Sequence, residues 1–189
     1  AFQKATMAAA WHGQNMVDGW FRIVHMSIQS NHMHLLVEAS DKQALSRGMQ
    51  GFQISAAKWW IKWLNKVIGK RRGRARTGSV FADRYFAEAI TSPLQARRAL
   101  TYVLNNWRKH ERDRTVSSNK WRVDPFSSGI VFTGWKELEE LGLSRWQMPD
   151  GYEPLAVSEP RTWLLRVGWR RHGLVRCFEL PSARMFEHD

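Results

Sequence analysis

Apolar residues recur along this chain with two different periods, and the switches between them mark out the elements. Residues 1 to 16 mix Ala, Met and Trp in a strongly helix-forming context and predict a helix. Gly19 punctuates, and Trp20 to Gln29, rich in Phe, Ile, Val and Met, has the composition of a strand. Ser30-Asn31 turns the chain into a second apolar run, His32-Met33-His34-Leu35-Leu36-Val37, which predicts an antiparallel hairpin. The period then lengthens. Leu45, Met49, Phe52, Ala56, Trp59 and Trp63 step by four and three along one face of a long helix, which Ser40 or Asp41 can cap and Gly69 stops. Beyond the loop Lys70-Arg71-Arg72-Gly73-Arg74-Ala75-Arg76, the segment Val80 to Phe86 reads as another strand, running on towards Ile90. Ser92-Pro93 is a helix start, with a capping side chain before proline at the first helical position, and the helix should carry Leu94 to His110. From Arg112 onward the pattern weakens into loops, with a last helix near Pro160 to His172. The order helix, strand, strand, helix, strand, helix predicts an α+β fold with an antiparallel sheet.

Composition narrows what such a fold is for. The 189 residues fit one ordinary domain with an appendage, divided as residues 1–112 and a basic extension, 113–189. A net charge of +12 calls for a polyanionic partner, either nucleic acid or an anionic membrane surface. No apolar run approaches the length of a spanning helix and no secretory leader is visible, so a membrane role is not expected. Cys177 is the single cysteine, which excludes a disulfide framework and a cysteine-based zinc site and points to a reducing cytosol. The chain does not begin with Met, which points to a processed or truncated N-terminus. Between Lys58 and Arg76 lie eight positive residues and no acidic one, and Lys58, Lys62, Lys66 and Lys70 step by four into the loop with Arg71, Arg72, Arg74 and Arg76. Solvated helix faces usually mix signs, so this single-sign stripe fits a phosphate backbone. Most of the eleven tryptophans are expected in the core, Trp59 or Trp60 and Trp63 on the apolar stripe of their helix among them.

The candidate chemistry centres on two histidines. Side chains on a strand alternate between faces, so His32 and His34 share one face while Met33, Leu35 and Val37 take the other. Two adjacent imidazoles make half of a divalent-metal site. On the helix after Pro93, Tyr102 and Asn106 are four apart and share a face. The Asn106 carbonyl oxygen suits Mg²⁺ or Mn²⁺ as a third ligand, and the Tyr102 phenol can attack phosphorus. That set is equipped to cleave a phosphodiester through a covalent phosphotyrosine. The plainer alternatives are a pair of ordinary strand histidines, and a tyrosine that only packs. Tyr85 is the rival nucleophile, but it has no ligand-type residue at helical spacing. His25, on the partner strand, reads as structural.

At these residues the chain resembles a known family. Asn31-His32-Met33-His34-Leu35-Leu36-Val37 is similar to the histidine motif of the HUH endonucleases in its single-tyrosine transposase form, specifically the REP-associated tyrosine transposases. Phe81-Ala82-Asp83-Arg84-Tyr85, the run from Tyr102 to His110, Asp124-Pro125-Phe126-Ser127-Ser128 and the run from Trp163 to Arg171 resemble the same group in the same order. The resemblance covers nearly the whole chain. It implies a ferredoxin-like antiparallel sheet with His32, His34 and Asn106 as metal ligands, Tyr102 as nucleophile, and Mg²⁺ or Mn²⁺ as cofactor. It also implies single-stranded DNA with hairpins (repetitive palindromic elements) as partner, a 5′-phosphotyrosine intermediate, and a monomer or homodimer associated with the cytoplasmic nucleoid. Arg84 joins the lysine and arginine stripe as an expected DNA contact. Two departures stand out. The family's domain begins with a strand ahead of the first helix, whereas this chain begins inside that helix, and Ser30 stands where the family often has Pro. A truncated or domesticated relative that binds structured DNA without cleaving it is the alternative. A histidine-triad nucleotide hydrolase is disfavoured by Leu36, where that motif needs another histidine.

Overall fold

The computed structural model describes residues 19–29, 31–67, 78–81, 83–111 and 122–181. Strands β1 (Phe21–Ile28) and β2 (Met33–Ala39) form a two-stranded sheet. The pairing is antiparallel: the Ser40 N–H donates to the Trp20 carbonyl at the open end (3.0 Å), and the Gln29 N–H donates to the His32 carbonyl beside the turn (2.9 Å). Helices α1 (Lys42–Val67) and α2 (Pro93–Glu111) follow. After them come a 3-10 turn at Ser128–Val131, α3 (Lys136–Glu140), α4 (Trp163–Arg166) and a second 3-10 turn at Gly168–His172. The architecture is α+β, consistent with a truncated ferredoxin-like arrangement. The helix expected over residues 1 to 16, the stop at Gly69 and the basic loop from Lys70 to Arg76 lie outside the described residues. The described residues divide into two compact units, one within Ala1–Ile23 and Glu38–Glu88, the other within Val24–Val37 and Ala89–Asp189.

In the first unit, α1 begins at Asp41, whose carboxylate accepts the Ala44 N–H at 2.8 Å while its carbonyl accepts the Leu45 N–H at 3.0 Å. That backbone bond, the largest influence, holds the Asp41 carboxyl below the usual carboxylate range. Met49, Phe52 and Ala56 are buried and Leu45 is half-buried, so the three-and-four spacing marks the packed face here, with Ala44 buried beside it. Gly48 lets the helix backbone close on Phe21, since a Cβ there would fall 2.1 Å from the ring. Burial fades towards the C-terminal end. Trp59 and Trp60 are half-buried, and Trp63, expected in the core, is 45% exposed. Periodicity sets which way a side chain points, not how far along the helix the core extends.

The strand expected from Val80 towards Ile90 is not formed among the described residues, and Phe86 is 87% exposed. Aromatic, β-favouring composition reports a fit to a pleated surface, but a strand exists only where a neighbour offers an open edge. Phe126-Ser127 lies beside the end of β1. The Ile28 N–H donates to the Phe126 carbonyl at 2.9 Å, and Ser27 bridges Ser127 antiparallel.

The second unit holds the main core. Val24 and Leu36 from the hairpin meet Ala96, Ala99, Leu100, Val103 and Leu104 of α2, together with Trp135, Leu138, Leu165, Trp169 and Val175. Both central indoles satisfy their N–H groups, Trp135 on the Gly129 carbonyl (2.8 Å) and Trp169 on the Leu165 carbonyl (3.2 Å). Helix α2 starts with a capping box: Ser92 Oγ accepts the Gln95 N–H at 3.2 Å, and Gln95 Oε1 accepts the Ser92 N–H at 3.2 Å. The single helix expected from Pro160 to His172 is instead two short pieces, broken at Val167 (φ −139°, ψ −31°). Gly168 lies against the Trp163 ring, where a Cβ would come within 2.7 Å, so the chain bends to seat the indole.

Candidate active site

The second unit brings His32, His34, Tyr102 and Asn106 together. Burial along β2 alternates at its end, with Leu36 buried between half-buried Leu35 and Val37. His34 shares the Leu36 face by the period of two, which turns it towards α2. His32 Nε2 and His34 Nε2 are 3.0 Å apart, with ring centroids separated by 4.7 Å. From α2, the Asn106 amide Nδ2 lies 2.9 Å from the same His34 Nε2, and the Tyr102 ring meets His34 edge-on with centroids 4.7 Å apart. Asn106 is buried, Tyr102 and His34 are partly covered, and His32 is exposed, so the cluster opens to solvent on the His32 side.

Asn31 Oδ1 lies 2.7 Å from His32 Nδ1, and an amide oxygen only accepts, so this contact suits the tautomer that carries its proton on Nδ1 and leaves a lone pair on Nε2. The Nε2 atoms of the two histidines stand 3.0 Å apart, a spacing that a shared proton or a shared cation accommodates. Bonds of ~2.1 Å at right angles place two ligand atoms ~3.0 Å apart, the spacing His34 Nε2 keeps from both of its neighbours. Half a turn of the Asn106 carboxamide about its terminal bond puts Oδ1 where Nδ2 now stands. The donor set thus fits a divalent ion. Among the described residues no group of three or more His, Cys, Asp and Glu side chains is placed to hold a metal, and the side chain beside the imidazole pair is the Asn106 carboxamide. Asn31, whose Oδ1 meets His32 Nδ1, was not among the expected site residues, although it stands directly before the first histidine.

Helix α2 is held from its other side by residues 173–179. Arg97 forms a bidentate pair with Glu179 (2.6 and 2.8 Å) and donates to the Gly173 and Leu174 carbonyls. Asn105 Nδ2 donates to the Arg176 and Glu179 carbonyls at 2.8 and 3.0 Å, and Arg108 Nε donates to the Cys177 carbonyl at 2.6 Å. These contacts fix the rotation of the helix, and with it where Tyr102 and Asn106 point.

The remaining expected residues separate clearly. His25 is buried, with Nδ1 3.0 Å from Ser128 Oγ and its ring edge-on to Phe132 at 5.2 Å, and loss of hydration lowers its pKa to about 4. It is a core histidine. The quoted run Asp124 to Ser128 ties down β1: the Asp124 carboxylate accepts Ser27 Oγ–H and the Phe126 N–H, and Ser128 Oγ accepts the Met26 N–H. Tyr152 donates to the Pro125 carbonyl at 2.9 Å, and Trp107 is buried beneath the Arg108 guanidinium. In the first unit, Lys58, Lys62 and Lys66 are exposed along α1, and Arg84 is exposed outside any helix or strand. Lys70, Arg71, Arg72, Arg74 and Arg76 lie outside the described residues.

The family model for IS200-like transposases matches residues 13–106, a span that contains His32, His34, Tyr102 and Asn106 and ends at the last of them. The match supports the family and, in general terms, a DNA-processing enzyme of the transposase kind. No curated protein and no solved structure matches the chain. None of the described helices is long and apolar enough to cross a membrane.

Proposed function

We propose that the chain is a metal-dependent single-stranded DNA endonuclease and strand transferase of the REP-associated tyrosine transposase group, acting beside DNA hairpins. The observation that carries the reading is the convergence of Tyr102, His34, His32 and Asn106 in one unit, with the two imidazole Nε2 atoms 3.0 Å apart and the Asn106 carboxamide 2.9 Å from one of them. His32, His34 and Asn106 would hold Mg²⁺ or Mn²⁺, which when bound supplies Lewis-acid polarisation of a scissile phosphate oxygen. Asn31 keeps His32 in the ligating tautomer. The Tyr102 oxygen attacks phosphorus in line: a tyrosine O–P bond forms, the P–O3′ bond breaks, and the departing oxygen takes a proton to become a free 3′-OH. The 5′-phosphotyrosine keeps the phosphodiester energy, so a 3′-OH reverses the step and joins strands without ATP. Lys58, Lys62, Lys66 and Lys70, with Arg71, Arg72, Arg74, Arg76 and Arg84, are assigned to the phosphate backbone, which they hold without reading sequence.

The test incubates the protein with hairpin-bearing single-stranded DNA and Mn²⁺ and looks for a covalent protein–DNA band in denaturing gels. Tyr102→Phe is expected to abolish the band and leave hairpin binding intact. A band that survives in Tyr102→Phe overturns the nucleophile assignment. Hairpin binding by the unaltered protein with no adduct in Mg²⁺ or Mn²⁺ replaces the reading with that of a binding-only relative.

A further inference from the structure

The C-terminal half of α1 carries an aromatic surface that the proposed reaction does not use. At 100° per residue, Trp59, Trp60, Trp63 and Val67 continue the stripe that Met49, Phe52 and Ala56 bury earlier in the helix. Here the stripe emerges into solvent: Trp63 is 45% and Val67 50% exposed. Trp60 and Trp63 stack on each other, with centroids 5.2 Å apart and planes 26° from parallel, so together they present one extended aromatic face. Lys58, Lys62 and Lys66 run along one flank at ~6 Å intervals, and the Lys62 ammonium sits 5.2 Å from the Trp59 centroid. The whole of α1 holds five cations and not one Asp or Glu.

We infer that this face is a stacking platform for unpaired bases of single-stranded DNA, an inference that rests on the reading of the chain as a single-strand DNA enzyme. Charge complementarity selects the occupant: a helix face with cations only, beside an apolar stripe, is matched to a polyanion that also offers flat apolar faces. A single strand has both, because every base exposes a π face once it leaves the duplex. Double-stranded DNA offers phosphates but keeps its base faces stacked away. The lysines hold the backbone while a base lies on the outer face of Trp63, so binding is tolerant of sequence and sensitive to salt.

The experiment measures fluorescence polarisation of a labelled, unstructured oligonucleotide on the full chain, on Trp63→Ala and on Trp63→Phe. An oligonucleotide of equal length and charge with abasic positions, a hairpin without single-stranded flanks, and vesicles containing anionic lipid complete the set. Trp63→Ala is expected to weaken the unstructured strand roughly tenfold or more, Trp63→Phe to keep most of the affinity, and the blunt hairpin to be unaffected. On the unaltered protein the abasic strand should bind roughly tenfold or more weakly than the intact strand, a comparison that still decides the matter if Trp63→Ala fails to fold. Equal binding of intact and abasic strands overturns the inference, as does a Trp63→Ala defect confined to the vesicles, or one that appears only as dissociation of a dimer in sedimentation. The covalent-band assay separates the two readings: loss of stacking with the Tyr102 adduct intact sinks the platform alone, and stacking without an adduct sinks the reaction alone.

Discussion

Acid should destabilise this protein through a single buried ring. His25 lies on β1 inside the second unit's core, against Phe132 and within reach of Ser128 Oγ. Burial there strips water from the imidazolium and lowers the pKa from 6.5 to about 4. The unfolded chain therefore binds a proton at a pH where the folded one refuses it. Stability from this group is fully present above pH 6.5 and is lost progressively as pH falls towards 4. At about 1.4 kcal/mol per unit, the span corresponds to a loss on the order of 3 kcal/mol, a large share of the ~5–15 kcal/mol that holds most domains folded. The perturbation is His25→Gln, which removes the titration and keeps a polar group near Ser128. Urea unfolding between pH 7.5 and 4.0 should show the unaltered protein losing about 3 kcal/mol more than the variant, whatever the absolute stability of either. Glu179 also contributes below its ordinary carboxylate range, because Arg97 holds its charge, but that loss is common to both proteins and cancels in the difference. Parallel pH profiles for the two proteins would refute the reasoning, since His25 would then ionise as freely folded as unfolded.

Two further expectations follow from the same geometry. Asn31→Ala frees the His32 tautomer and should weaken Mn²⁺ binding by roughly ten- to a hundredfold, read from the electron paramagnetic resonance signal of free Mn²⁺; unchanged affinity would remove Asn31 from the site. Gly134→Ala would place a Cβ 2.4 Å from the Trp169 ring and 2.5 Å from Phe132, so thermal unfolding should show a cost of at least ~1–3 kcal/mol, and an unchanged melting temperature would mean that the two rings can yield.

What the chain's local chemistry settles is considerable. Alternation along His32 to Val37 is enough to pair His32 with His34, and the spacing of four is enough to pair Tyr102 with Asn106, because both follow from local backbone geometry. Ser92, Pro93 and Gln95 likewise announce the start of α2, since a cap is satisfied within one turn. The tertiary structure decided everything that needs two elements at once. That β2 turns His34 towards α2 depends on the core that Leu36 and Val24 share with Leu100 and Leu104, and no period in β2 alone contains it. The aromatic run after Val80 had the composition of a strand, yet among the described residues it joins no sheet, because composition carries no information about a pairing neighbour. Trp63 kept the helical phase of a core residue and lost the core, because burial depends on how far neighbouring elements reach. Asn31 and His25 differ in the same way: each is an unremarkable polar residue in the sequence. One meets an imidazole nitrogen through its side-chain oxygen and the other is buried against Phe132 and Ser128, because hydrogen-bond partners and hydration are assigned only when the chain closes around them.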